Sequence, residues 1–208
     1  MRNLDAVADA LEQALTATDK AREDAIARSR EIIRLAGSTV KAAHRGEAPE
    51  PYLEKALALG EALRRDLRNH PEVYHAGSVE NALAELGEAA LVVAVHRGRD
   101  LPAPGDLPIT PPAYVLALGD LVGELRRFAL DALMRGDNDA AKANLDRMED
   151  AFTALMRFDF PSAVVEVRRK QDVARSLLER TRGEIAVALR GERLERHMDR
   201  LEARLPPV

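Results

Sequence analysis

Glu85 and Glu88 lie within Ala82–Val95, and Asp120 and Glu124 within Pro112–Leu125, two stretches that are otherwise apolar. The chain as a whole is 32% charged, yet each stretch carries only two charges, and all four are acids. The spacings are i,i+3 and i,i+4, so each pair projects from one face of a helix. Neither stretch contains a cation to neutralise them. Burying an ionised carboxylate without a partner is costly, and a like charge beside it adds repulsion. Gly87 lies between the first pair, and Gly119 and Gly123 accompany the second. Small residues let helix backbones approach closely, at a helix-propensity cost of roughly 1 kcal/mol each. Two close-packed helices, each supplying two acids, make an all-oxygen site of the kind that Mg²⁺ or Mn²⁺ prefers. The plainer alternative is that both pairs are solvated surface acids, and the residues alone leave the two readings open.

Other chemistries find less support. No Cys is present, which excludes disulfides, thiolate catalysis and Cys-based zinc sites. A ferritin-like di-iron centre needs Glu-x-x-His on each of two helices. Only Glu72-Val-Tyr-His75 fits that spacing, beside Gly77, so His75 reads as a surface or packing residue. No P-loop, GxGxxG phosphate cradle or serine elbow occurs.

The elements that must position the acids are helices. With 46% hydrophobic residues but only 3% aromatics, the core must be built from Ala, Leu and Val, a composition that favours helix over strand. A first helix is predicted from about Leu4 to His44, ended by Gly46 and the Pro49–Pro51 pair. A second runs from about Tyr52 to Asn69, and a third from an N-cap at Ser78 to about Arg97. Gly98 to Thr110, with three prolines, is the one substantial loop. Thr110 caps a fourth helix that ends at Gly136, and Asp137 caps a fifth that reaches about Phe158. Pro161 is expected to open a sixth helix to about Leu189, followed by a short seventh from Glu192 to Ala203. The expectation is an all-α protein, a single bundle of about seven helices spanning residues 1–208 as one domain. Ala-rich faces (Ala82, Ala84, Ala89, Ala90; Ala140, Ala141, Ala143) predict a surplus apolar stripe and hence an oligomer. No stretch reaches the roughly 20 apolar residues of a membrane span, and Met1–Asp5 begins no signal peptide, so a cytoplasmic location and no membrane partner are expected.

The net charge of −4 is unevenly spread. Lys20, Arg22, Arg28, Arg30, Arg34, Lys41 and Arg45 face only three acids in the same segment, Glu23, Asp24 and Glu31. Arg64, Arg65 and Arg68 form a second cluster, and Arg168, Arg169, Lys170, Arg175, Arg180 and Arg182 a third. A basic stripe on a net acidic protein is an electrostatic footprint for nucleic acid, although solvated helix faces produce the same pattern.

Taken together, Ile109-Thr-Pro-Pro-Ala-Tyr-Val-Leu-Ala-Leu-Gly-Asp-Leu-Val-Gly-Glu-Leu-Arg-Arg127 resembles the characteristic helix of translin and translin-associated factor X (Trax). The likeness extends to Ala27-Arg-Ser-Arg-Glu-Ile-Ile33, to Lys41 and His44-Arg45, and to Gly136-Asp137 and Phe152. It continues through Arg168–Lys170 and Glu179-Arg-Thr-Arg-Gly183. In that family translin chiefly binds nucleic acid and lacks the full acidic set, whereas Trax carries a metal-dependent endoribonuclease site. The sequence matches the Trax pattern at Glu85, Glu88, Asp120 and Glu124, and its shorter length is similar to a compact prokaryotic form. The resemblance implies a homo-oligomeric shell, mostly octameric, that encloses RNA or single-stranded DNA. By that resemblance the four acids would be catalytic and hold Mg²⁺, or Mn²⁺. Arg22, Arg30, Lys41, Arg45, Arg64 and Arg68 would contact the nucleic acid. The other outcome within the family is a non-catalytic binding shell of the translin type.

Overall fold

The computed structural model describes residues 3–203, and among them every regular element is helical. The helices are α1 (Leu4–Arg45), α2 (Glu50–Asp66), α3 (Pro71–Tyr74), α4 (Gly77–His96), α5 (Pro111–Met134), α6 (Asn138–Leu155) and α7 (Arg168–Glu202). Contacts divide the chain into two compact units, one ending at Leu118 and the other beginning at Gly119.

In the first unit α4 is the central helix. Leu83, Leu86, Leu91 and Val92 are fully buried, and Ala82, Ala84, Ala89 and Ala90 are buried beside them. A helix that is apolar on nearly every face belongs inside. α1 and α2 pack on α4 and on each other. The buried positions of α1 (Ala25, Ser29, Ile32, Leu35, Ala36, Thr39, Ala42 and Ala43) recur at i, i+3/i+4, i+7. The helix closes at Gly46, whose φ of 70° is the left-handed conformation that ends helices. The first turns of α1 bury none of this face, and Leu4, Val7, Leu11 and Leu15 form an exposed stripe.

Close approach in this unit depends on glycine. A Cβ at Gly87 would lie 2.9 Å from the Ala117 Cβ and 3.0 Å from Ile109 Cδ1. One at Gly60 would meet Leu86 Cδ2 at 2.8 Å. The junctions are polar. Arg97 after α4 donates to both carboxylate oxygens of Glu50 at the start of α2, at 2.6 and 2.9 Å. The guanidinium holds the Glu50 carboxyl down to about 2. Thr110 Oγ1 accepts the Ala113 N–H at 3.2 Å, as an N-cap should, and donates to Glu80 Oε2 at 2.5 Å. Tyr114 Oη donates to the Pro102 carbonyl at 2.7 Å, tying the preceding loop to α5.

In the second unit Ala129, Ala132, Ala141 and Ile185 form a small core flanked by Leu133, Leu145 and Leu189. Gly136 turns the chain at φ 74° and Asp137 caps α6 by accepting the Ala140 N–H at 2.9 Å. Arg126 donates to Thr181 Oγ1 at 2.6 Å and to both oxygens of Glu184, at 2.8 and 3.0 Å.

Several sequence expectations need correction. α4 starts at Gly77 with Ala76 as its cap, so Ser78 lies in the first turn. Pro161 opens a single turn only, its carbonyl accepting from Val164 at 2.8 Å. The following β-branched residues turn inward, with Val165 and Val167 buried, and α7 begins at Arg168. Gln171 Nε2 closes that gap by donating to the Leu155 and Phe158 carbonyls at 3.0 and 2.8 Å. No break occurs near Gly191, so the predicted sixth and seventh helices are one. Asn138 Nδ2 donates to Glu192 Oε2 at 2.8 Å and holds α7 to α6 at that point. The predicted total of seven is kept because α3, a one-turn helix after Pro71, was not foreseen. The Ala-rich face of α4 is buried within the chain and leaves no stripe for a second subunit. The apolar stripes that remain exposed are Leu4–Leu15 on α1 and Val187, Leu194, Met198 and Leu201 on α7. No described helix is long and apolar enough to cross a membrane.

Two outcomes test this packing. Gly87→Ala should destabilise by about 1–3 kcal/mol, because the Ala117 methyl cannot move aside, whereas overpacking is otherwise offset by better helix propensity. Gly123→Ala, whose Cβ would meet only Leu177 Cδ1 at 3.9 Å, should be neutral or stabilising in the same urea titration. The second concerns pH. A carboxyl lowered in the folded state stabilises above its unfolded pKa of roughly 4.5, and that stability is lost as pH falls through about 2. Glu50→Gln should therefore lower the melting temperature at pH 7, and the difference from the parent should shrink steadily between pH 5 and pH 2.

Candidate carboxylate and nucleic-acid surfaces

α4 carries Glu85 and Glu88 on one half-buried edge of an otherwise apolar helix. Residues 82–84, 86–87 and 89–90 around them are all buried. At Gly87 between them the start of α5 leaves no room for a Cβ, which agrees with the glycine marking close helix approach. These two acids belong to the first unit.

Asp120 and Glu124, one turn apart on α5, belong to the second, and both are half-buried. Asp120 has a partner that the sequence did not disclose. The ammonium of Lys170, in the first turn of α7, makes a short ion pair with Asp120 Oδ1. The two side chains retain only 33% and 30% of their exposure, so the pair is mostly desolvated. Gly119 makes room for it. A Cβ there would fall 2.8 Å from the Lys170 Cβ, 3.2 Å from its Cγ and 3.4 Å from its Cδ. The lysine stem thus lies along the bare backbone of α5, and its charged end reaches the next residue. Lys170 stands in the predicted third basic cluster; what sequence could not supply is the pairing across 50 positions. The one legible signal was Gly119 itself, a glycine in mid-helix beside an acid.

Among the described residues, no group of three or more His, Cys, Asp or Glu side chains is placed to hold a metal ion. Each helix instead offers one pair of carboxylates. That donor set still fits Mg²⁺, which keeps several waters and is commonly held by one or two carboxylates together with substrate phosphate rather than by an all-protein cage.

The six predicted nucleic-acid contacts divide into two kinds. Arg22 is paired with Asp19 at 3.4 Å and Arg64 with Glu61 at 2.8 Å, each one turn away on its own helix. Arg28 and Arg34, from the same stripe, pair with Asp66 and Glu31. Arg30, Lys41, Arg45 and Arg68 are exposed, and among the described residues none of them pairs with a carboxylate. On α1, Arg30, Lys41 and Arg45 fall within about 60° of one another around the axis and span roughly 22 Å along it. They form a line of positive charge on one face of a helix whose other face is in the core.

With this geometry in hand, similarity to known proteins is informative. Residues 52–182 match the model of the Translin family. An uncharacterised protein of Methanocaldococcus jannaschii is 31% identical over 188 residues, which is 88% of this chain and 83% of the relative. The structure of AfC3PO in complex with duplex RNA is 33% identical, with a TM-score of 0.79 over 92% of this chain and 98% of that one. A further crystal structure of AfC3PO gives 34% identity and a TM-score of 0.78 over the same shares. The crystal structure of apo-NeC3PO, at 20% identity, shares the fold with a TM-score of 0.78 over 86% of this chain and 96% of that one. On the family match and the identity to these relatives, the chain belongs to the Translin family.

Proposed function

We propose that this protein binds RNA through the basic face of α1 and cleaves it as a metal-dependent endoribonuclease. The observation that carries the binding half is the line of exposed, uncompensated cations at Arg30, Lys41 and Arg45. Its weight is increased by the likeness to AfC3PO, which has been solved with duplex RNA. Charges on a rigid helix, with few aromatics available for stacking, suit phosphate contacts and not base readout. Sequence selectivity should accordingly be weak.

For the catalytic half, Glu85 with Glu88 and Asp120 with Glu124 would hold Mg²⁺ or Mn²⁺. Such an ion lowers the pKa of a bound water and offsets the charge that develops on the phosphate in hydrolysis. The protein's own contribution is to fix each carboxylate pair on a rigid helix among buried neighbours, and to hold the phosphate backbone by its cations. The assembly proposed is a closed homo-oligomer in the cytoplasm, an octamer in the family pattern, able to accept single-stranded DNA as well as RNA. The exposed apolar stripes on α1 and α7 support an assembly, since contiguous apolar surface of this kind usually finds a partner.

Cleavage of a labelled single-stranded RNA in Mg²⁺, absent in EDTA, is the primary test. Glu85→Gln and Asp120→Asn should each reduce cleavage to background while leaving RNA affinity intact. Binding without any cleavage in Mg²⁺ or Mn²⁺ would leave a non-catalytic shell of the translin type. Arg30→Ala with Lys41→Ala should weaken binding to unrelated RNAs equally and lower the slope of log K against log salt by roughly two. Sedimentation should give a mass several times 22.8 kDa; a stable monomer at micromolar concentration would remove the assembly.

A further inference from the structure

We infer that Lys170 is a positioning residue of the carboxylate site: a tethered cation that neutralises Asp120 when no metal is bound and that a divalent ion must displace to use that carboxylate. This rests on the metal-binding reading of Asp120 and Glu124 proposed above.

The ion pair joins two helices, as Arg126–Glu184 and Arg28–Asp66 also do, and differs from the one-turn pairs of the surface. Arg22–Asp19, Arg34–Glu31 and Arg64–Glu61 are exposed, one-turn neighbours on a single helix, and such pairs contribute little. Lys170 and Asp120 come from different helices, and each keeps only about a third of its side-chain exposure. The path of the lysine is built into the packing. Its Cβ, Cγ and Cδ lie so close to Gly119 that any larger residue there would collide with the stem, within 2.8 Å at the Cβ. Gly119 is buried in the middle of a helix, where glycine is unfavourable by roughly 1 kcal/mol relative to alanine. A glycine in that place is accounted for by the lysine that crosses it.

The chemistry of the pair gives the stem a purpose. Asp120 and Glu124 are one turn apart, half-buried, and alike in charge. A cation at Asp120 relieves their repulsion in the metal-free protein. Lysine suits this role better than arginine, because an ammonium is a compact point charge of the kind a small hydrated cation can replace. A divalent ion that takes the Asp120 oxygen competes directly with that ammonium, so the lysine weakens apparent metal affinity while stabilising the empty site. By linkage, removing it should have the opposite effect on each.

The test measures melting temperature against MgCl₂, and separately MnCl₂, at constant ionic strength, using the full chain. Lys170→Met keeps the stem that Gly119 accommodates and deletes the charge. In EDTA it should melt below the parent. With metal it should regain that loss, and its half-saturating metal concentration should fall about tenfold. Combining Lys170→Met with Asp120→Asn should abolish the gain in affinity. If metal stabilises the parent but the half-saturating concentration in Lys170→Met is unchanged or higher, Lys170 does not compete, and the inference fails while the carboxylate site stands. If metal stabilises neither protein, the site at Asp120 and Glu124 is wrong, and the role assigned to Lys170 falls with it.

Discussion

The desolvation of charge is the constraint on which this structure turns. α4 is buried on nearly every face, and the start of α5 presses so near that only a glycine fits at position 87. A carboxylate in such a helix must reach an edge, find a cation or bind one. Glu85 and Glu88 reach a half-buried edge; Asp120 takes the ammonium of Lys170. The placement of the remaining charges follows the same logic. Where elements meet, long-range pairs join them: Arg97 grips Glu50 between the end of α4 and the start of α2, and Arg126 grips Glu184 between α5 and α7. Both use the planar guanidinium against a carboxylate in two-point contact, the geometry that gives direction as well as attraction.

On α1 a different arrangement produces a different result. Arg22, Arg28 and Arg34 are locally or laterally neutralised, whereas Arg30, Lys41 and Arg45 are not. A protein with a net charge of −4 therefore presents a line of positive potential. Salt screens exposed charges beyond a Debye length of about 8 Å, so a backbone phosphate in contact responds to the nearest side chains more than to the net charge of the whole protein. An acidic protein is thus compatible with a phosphate-binding face, provided the cations on that face lack acids of their own.

What was legible in the sequence was what is decided locally. Thr110 and Asp137 as caps, and Gly46 and Gly136 as left-handed terminators, each depend on the three or four residues around them, and each stands as expected. Pro161 misled because a proline that can start a helix was followed by Val165 and Val167, whose burial holds the chain in an irregular path, while Val164 stays exposed. The expected break between Leu189 and Glu192 does not occur, since the one glycine there is a modest penalty that a tertiary bond, here Asn138 to Glu192, readily outweighs. The Ala-rich face of α4 was correctly read as apolar, but its destination was a matter of packing. The same is true of the carboxylates. Their separation from charge was visible in composition, and the glycine beside each pair was visible as a mark of close approach. That Gly119 admits a lysine from 50 residues away was not, because nothing in either segment encodes the meeting.

The pairing of acids in twos also bears on what kind of site they can form. A closed cage of four carboxylates would bind a divalent ion tightly, but its surplus negative charge would repel phosphate. A pair on one helix brings a charge of −2, which one divalent ion offsets, so that RNA approaching it meets a neutral centre. Without an ion, two carboxylates one turn apart would repel the phosphate backbone. Lys170 halves that charge at Asp120. The fold therefore carries two cationic solutions to one anionic problem. One is covalently tethered and always present, and the other would be exchangeable and doubly charged. Only the second leaves coordination positions for water and substrate, because an ammonium can donate hydrogen bonds but cannot polarise a water toward attack.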